Sequence, residues 1–367
     1  MGILQPIWDG TFVYREPVCF SADKDGRPTG GTLLYQPEEI LSVTSFDGNV
    51  FYQPVRDYTA NGRQLVRTEA SRIPYLERSV YCKPFTGVPE TAWVRLSGGK
   101  AYMEVVSDVY RWQTLVTYTH RDKWAGFQPK TCGESLPRSM EKLRAGGDFH
   151  LTLYGDSITA GWEASGCNER AIDMVTLGEY HVSLWHAPYQ PAWAELVTNA
   201  LQARYPQSNV IKTNRAAGGS TVQWGVEHAA ELVPPCKPDL IMLGFGMNSM
   251  QESAEDYRRA ILSIIRTIRK ECHDCEFVLM SPMIPNPEIK GFQNNQLPAQ
   301  QDVLYQIAAE LEGVCIAPVH SVFREMTARG KHYLELTGNC INHPNDFSVR
   351  VYAQTVLRTL GVDGNDG

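Results

Sequence analysis

No stretch of this 367-residue chain approaches the roughly 20 consecutive apolar residues that cross a bilayer, so no membrane partner is expected. Positive charge is not in excess either. Lys and Arg number 34 against 41 Asp and Glu, a formal net charge of -7, which argues against a phosphate-binding surface and a nucleic-acid partner. The opening MGILQPIWDGTFVY lacks the basic start and apolar run of a secretory leader, and none is expected. The nine cysteines are odd in number and have no framework spacing, which fits reduced thiols in a cytoplasm better than a disulfide scaffold. The one close pair, Cys272 and Cys275, has no second ligand pair at matching spacing. It reads as a helix end running into a strand rather than as a zinc or redox site. Internal repeats and low-complexity tracts are missing too. What remains is an ordinary globular mix, 43% hydrophobic and 20% charged, long enough for two domains.

The two halves of the chain are patterned differently. Residues 1–140 hold short strand-like runs, Thr32–Tyr35, Ala92–Leu96, Ala101–Val106 and Thr114–His120. Turn pairs such as Asp25-Gly26, Asp47-Gly48, Asn61-Gly62 and Gly98-Gly99 separate them, the pattern of a small antiparallel β-sandwich of jelly-roll-like kind. Irregular chain is expected over Pro129–Asp148, where Gly133, Pro137 and Gly146-Gly147 cluster. Trp124 and Phe127 just before that joint predict that the first domain docks through apolar contact.

From residue 146 to 367 apolar runs alternate with helical spacing. The runs are Phe149–Tyr154, Asn209–Thr213, Leu240–Phe245, Phe277–Met280 and Val314–Ala317, and they read as strands of a parallel sheet buried on both faces. Helices are predicted over Ala192–Ala203, Tyr257–Arg269 (behind a Ser253/Asp256 capping box), Pro298–Leu311 and Phe347–Leu360. The last has Asp346 as its expected N-cap and Gly361 as its stop. The alternation implies a doubly wound α/β domain.

Four segments carry residues suited to acyl transfer. Tyr154-Gly155-Asp156-Ser157-Ile158-Thr159-Ala160-Gly161 follows the first strand and places a serine at the sheet rim, near a helix amino end that favours an oxyanion. Asn214-Arg215-Ala216-Ala217-Gly218-Gly219-Ser220 offers unobstructed backbone N–H groups after the second strand. Gly244-Phe245-Gly246-Met247-Asn248-Ser249 follows the third strand with an uncharged amide donor. Asn342-His343-Pro344-Asn345-Asp346 brings a histidine, the usual base for a serine, whose backbone Pro344 holds extended. Each segment alone is as well explained by turns and caps; the four together are far more specific.

In this order the four blocks resemble those of the SGNH (GDSL-type) hydrolases, over about residues 148–362. The resemblance implies a flavodoxin-like α/β/α sandwich and no cofactor. It implies Ser157 as nucleophile and His343 as base, with an oxyanion hole made by the amides of Ser157 and Gly219 and the side chain of Asn248. Two positions depart from the family pattern: Ser249 and Cys340 stand where it has Asp. With Cys340 three residues before His343, the expected arrangement is a Ser157–His343 dyad. A main-chain carbonyl of the turn Asn339–Ile341 is expected to orient the ring, in preference to the carboxylates of Glu335 or Asp346.

Between the first strand and the first long helix lies an aromatic segment with Trp162, Tyr180, Trp185, Tyr189 and Trp193, placed to overhang the serine. A β-sandwich ahead of such a hydrolase domain resembles the arrangement of bacterial carbohydrate acetylesterases, which implies O-deacetylation of an oligosaccharide or a small-molecule ester. A lipid ester or thioester hydrolase, and a non-catalytic carbohydrate-binding protein on a hydrolase frame, remain as alternatives.

Overall fold

The computed structural model describes residues 3–84, 101–103, 109–289 and 291–362. The expected run Ala92–Leu96 and the Gly98-Gly99 turn lie outside them. Strands β1 (Phe12–Ala22), β2 (Pro28–Thr29), β3 (Glu39–Ser45), β4 (Tyr58–Asn61), β5 (Gln64–Arg67) and β6 (Tyr75–Leu76) come first. After the short helix α1 (Arg78–Tyr81) follow β7 (Cys82–Pro84), β8 (Ala101–Met103) and β9 (Gln113–Thr119). β9 lies antiparallel between β1 and β3, with β2 and β6 on the far part of β1, while β4–β5 and β7–β8 form separate antiparallel pairs. This is the smaller antiparallel β domain that the turn spacing predicts.

Thr32–Tyr35 is not a strand; only Thr32 makes a bridge, to Gln64. Leu33 N–H goes to the Arg63 carbonyl, and the next two backbone donors are taken by side chains. Leu34 N–H donates to Glu16 and Tyr35 N–H to the Tyr118 hydroxyl. The joint is a second correction. It contains helix α2 (Pro137–Ala145), with Pro137 in the first turn, where its missing N–H costs nothing.

The second half alternates strand and helix. Its elements are β10 (Gly147–Gly155), β11 (Asn168–Ile172), β12 (Glu179–Ser183), α3 (Trp193–Arg204), β13 (Ser208–Asn214), α4 (Val222–Leu232), β14 (Leu240–Gly244) and α5 (Ala254–Arg269). Then come β15 (Glu276–Met280), α6 (Leu297–Glu310), β16 (Val314–Ala317), α7 (Val319–Ala328), α8 (Tyr333–Leu336) and α9 (Asp346–Leu360). The parallel sheet runs β13-β10-β14-β15-β16. Side-chain alternation divides it cleanly: Leu151, Leu153, Met242 and Val278 face α3, α7 and α9, whereas Tyr154, Ile241, Leu243 and Phe277 face α4, α5 and α6. Both faces are buried, which is why these strands read as continuous apolar runs. β11 and β12 form an antiparallel hairpin outside this sheet.

α9 is buried almost all round, yet it carries polar side chains on its outer side. The β domain explains this. Arg350 donates to the Tyr14 carbonyl and to Gln190, and Gln354 donates to the Gln5 carbonyl and accepts from Ile7 N–H. The N-cap of α9 is Asn345, which accepts from Ser348 N–H. Asp346, the expected cap, sits one residue inside, and its carboxylate receives the N–H and hydroxyl of Ser165.

The β domain also grips the chain that leads to His343. Lys331 is fully buried, 3.0 Å from Glu16 and 3.3 Å from Glu335. Glu335 accepts the N–H groups of Cys19 and Gly31. Gln113 donates to the carbonyls of Leu334 and Thr337 and accepts from Asn345. One hydrophobic core runs across both halves, taking in Val18, Phe20, Tyr35, Val116 and Trp124 together with Leu151, Phe323 and Tyr352. Trp124 additionally faces Arg329, whose guanidinium lies 4.2 Å from the ring centroid.

Replacing Gln113 with Ala removes three buried hydrogen bonds at once. Asn345 Nδ2 keeps the Glu335 carbonyl, so two buried carbonyls are stranded. Urea unfolding of Gln113→Ala should show a loss on the order of 2–6 kcal/mol, because each stranded buried group costs about 1–3 kcal/mol.

Candidate active site

In strand order the parallel sheet reads 2-1-3-4-5, so its topological switch lies at the carboxyl ends of β10 and β14. That is where Ser157 emerges. β10 ends at Gly155, which pairs in register with Gly244 of β14. A Cβ on Gly155 would lie 2.2 Å from the Gly244 carbonyl oxygen and 2.4 Å from Thr159 Oγ1, so only glycine allows this approach. The Gly244 carbonyl accepts from Asp156 N–H at 3.1 Å and from the Thr159 hydroxyl at 2.7 Å. The buried Asp156 carboxylate takes the N–H of Ile158, which bends the chain directly behind the serine. Burial pushes its pKa up to about 7, against the pull of backbone donors from Thr159, Ile158 and Met247. Trp193 supports the same turn from the core, donating its indole N–H to the Ile158 carbonyl.

The other blocks are stitched on in turn. The Gly155 carbonyl accepts from Ala217 N–H and the Ser220 hydroxyl. The Ser220 carbonyl accepts from Asn248 Nδ2 at 3.0 Å, which leaves that amide one further hydrogen to donate. Ser249, where the family pattern has Asp, accepts Val222 N–H at the start of α4. Gly219 and Asn248 are exposed on the rim. Among the described residues, neither Ser157 N–H nor Gly219 N–H donates to a protein acceptor.

His343 completes the group. Its Nε2 lies 2.8 Å from Ser157 Oγ, across 186 residues of chain. The Trp162 ring stands 5.7 Å from the His343 ring, centroid to centroid. It also lies over Gly218, where a Cβ would come within 2.7 Å of it. Ser157, Gly219, Asn248 and His343 are thus brought to one rim by four separate loops.

The partner of His343 Nδ1 is not a main-chain carbonyl. The carbonyls of Cys340 and Ile341 are taken by Asn286, through its side chain and its N–H respectively. Glu335 and Asp346 are committed elsewhere, as described above. Cys340 has a left-handed backbone, φ 64°, and packs in an apolar cluster with Cys19, Tyr81, Tyr333 and Ile341. The neighbour of Nδ1 is Asn339, whose Nδ2 lies 2.7 Å away. Asn339 Oδ1 accepts the N–H groups of Ile341, Asn342 and His343, a side-chain turn of the kind asparagine favours. The spacing of the family pattern points to position 340 and so passes over Asn339; an asparagine four residues before the histidine was the available signal.

The aromatic segment divides. Trp193 is core. Tyr180 and Trp162 pack together half-buried. Trp185 and Tyr189 are 66% and 50% exposed, with ring centroids 5.2 Å apart, and present open faces. Cys272 and Cys275 lie at the other end of the sheet, between α5 and β15, where they line a surface cavity of about 730 Å³.

Residues 153–348 match the GDSL-like lipase/acylhydrolase family model. The chain belongs to that family. No curated protein matches it. Among solved structures it is similar to a two-domain esterase (CEX) active on acetylated mannans, co-crystallised with mannopentaose. The identity is 20% and the TM-score 0.46, over 62% of this chain and 53% of that one. The chain therefore spans about half the length of that esterase. It is also similar to Axe2, an acetylxylan esterase from Geobacillus stearothermophilus, at 20% identity and TM-score 0.46, covering 59% and 96% of the two chains. A third is LAE5, an alpha/beta hydrolase from the metagenome of Lake Arreo, Spain, at 20% identity and TM-score 0.45, covering 61% and 100%.

Burial lowers the His343 pKa to about 4. Asp156 and Glu163, both pushed up to about 7 by burial, hydrogen-bond neither ring nitrogen. A base must be neutral to take a proton, so kcat/KM should rise as pH climbs through about 4 and stay level above about 5. A pH–rate series on a soluble ester checks this; a limb in the usual histidine range near 6.5 would contradict it.

Proposed function

We propose that the protein removes acetyl groups from acetylated carbohydrate, with Ser157 as nucleophile and His343 as general base. The observation that carries the hydrolytic part is the 2.8 Å contact between His343 Nε2 and Ser157 Oγ at the switch point of the sheet. His343 takes the hydroxyl proton as Ser157 Oγ attacks the ester carbonyl. The amides of Ser157 and Gly219 and the second hydrogen of Asn248 Nδ2 hold the oxyanion. The proton then passes to the departing sugar hydroxyl, and water, activated by the same ring, releases acetate and restores Ser157. The substrate part rests on Trp162, whose ring stands beside that of His343, and on the exposed rings of Trp185 and Tyr189 in the same aromatic segment of the chain, which suit the apolar faces of sugar rings.

Ser157→Ala should abolish hydrolysis of p-nitrophenyl acetate with the fold unchanged, and a serine-directed phosphonate should label Ser157 alone. Asn248→Ala should lower kcat by about 10²–10³ with a smaller change in KM. Acetyl should be preferred over butyryl and octanoyl esters in kcat/KM, and mass spectrometry of acetylated oligosaccharides should register the loss of acetyl groups. A steady rise with acyl length would favour a lipid ester as substrate instead.

A further inference from the structure

The Asn339 side chain has one orientation that its surroundings accept. Its oxygen takes three backbone N–H groups, from Ile341, Asn342 and His343, at 2.9, 3.0 and 3.1 Å. Its Nδ2 points one hydrogen at His343 Nδ1, 2.7 Å away, and the other at Asn342 Oδ1, 3.3 Å away. Turning the amide over would set an NH₂ against three N–H donors and lose every one of these bonds. Nδ2 is therefore the donor and His343 Nδ1 the acceptor.

A neutral imidazole carries one proton. With Nδ1 bare, that proton is on Nε2 and is directed at Ser157 Oγ. This is the reverse of what attack requires. A base needs a bare Nε2 facing the hydroxyl, with the proton on Nδ1 held by an acceptor. In this loop an Nδ1–H would meet the Asn339 NH₂ donor to donor. The imidazolium formed during attack would likewise find amide hydrogens where a triad has a carboxylate. We infer that Asn339 is a positioning residue that holds His343 in the Nε2–H tautomer, so that the resting Ser157–His343 pair is restrained and hydrolysis passes through the minor tautomer.

The loop is already built for a carboxylate at this position. In Asn339→Asp one oxygen keeps the three N–H donors and the other accepts from His343 Nδ1–H. The terminal amide of Asn342 turns to present its own NH₂. The carboxylates on the neighbouring elements do not serve in its place. Asp156 holds the Ile158 N–H, Asp346 holds Ser165, and Glu335 holds Lys331 with the amides of Cys19 and Gly31. Glu163 packs against Gly338.

The inference rests on His343 acting as the base of Ser157, and its test separates the two. Ring-nitrogen NMR of ¹⁵N-histidine-labelled wild type, assigned with His343→Gln, should find His343 protonated on Nε2, and Asn339→Asp should move the proton to Nδ1. On p-nitrophenyl acetate, Asn339→Asp should raise kcat by at least about tenfold, within the roughly 10⁴ that the reverse change costs a serine triad. The acid limb of its pH profile should rise from about 4 by one or more units, because a carboxylate beside the ring favours imidazolium. Glu163→Gln should change neither rate nor limb. A wild-type His343 protonated on Nδ1 overturns the inference, and that reading stands even if the Asp variant fails to fold. So does a folded Asn339→Asp with unchanged kcat and limb, or a Glu163→Gln that loses activity and so identifies Glu163 as the acid. If the gain survives in Ser157→Ala/Asn339→Asp, the nucleophile assignment fails while the tautomer result remains.

Discussion

A single buried ammonium group holds the two halves of this protein in register. Lys331 has no exposed surface, and burial alone would drive it toward neutrality. The charges of Glu16 on β1 and Glu335 on α8 outweigh that and raise its pKa. The two carboxylates are satisfied in turn by N–H groups of Leu34, Cys19, Gly31 and His332 and by the Tyr118 hydroxyl. Every member of the network thus has a partner, the condition under which a buried ionic cluster is tolerable and its disruption severe. It joins strands of the β domain to the stretch of chain that ends in His343.

The consequence reaches the chemistry through a short covalent path. Glu335 precedes Asn339 by four residues, and Gln113 holds the carbonyls of Leu334, within α8, and Thr337, just after it. The loop 337–345 therefore begins and ends on groups anchored by the β domain. The serine side is set independently, by the Gly155–Gly244 approach and the bonds through Ser220 to Asn248. The candidate site is the meeting of two separately braced assemblies, and the 2.8 Å between Nε2 and Oγ is where they meet.

This division explains what each block tolerates. Ser249 can replace the family's Asp because its work in this chain is to accept Val222 N–H, which a hydroxyl does as well as a carboxylate. The change at 340 is different in kind. A left-handed Cys340 turns its side chain into the apolar cluster under the β domain and leaves the adjacent Asn339 beside the ring. A carboxylate in that cluster would be buried without a charge partner, whereas a thiol is at home there.

Much of the architecture was legible in the residue order. Apolar runs buried on both faces gave the five parallel strands within one or two residues, and the glycine and serine clusters after them marked the loops of the active rim, because backbone geometry at those turns tolerates few alternatives. The helical joint at Pro137–Ala145, the N-cap at Asn345 and the role of Asn339 were not legible. Each depends on which of several nearby polar groups is nearest in space. Sequence by itself determined the chain's periodicity, and with it the layers, the strand ends and the loop that carries Ser157. Only the tertiary structure decided what faces His343 Nδ1. That choice follows from one positive φ at Cys340 and from hydrogen bonds to Asn286 that use up the competing carbonyls, contacts between segments more than 50 residues apart.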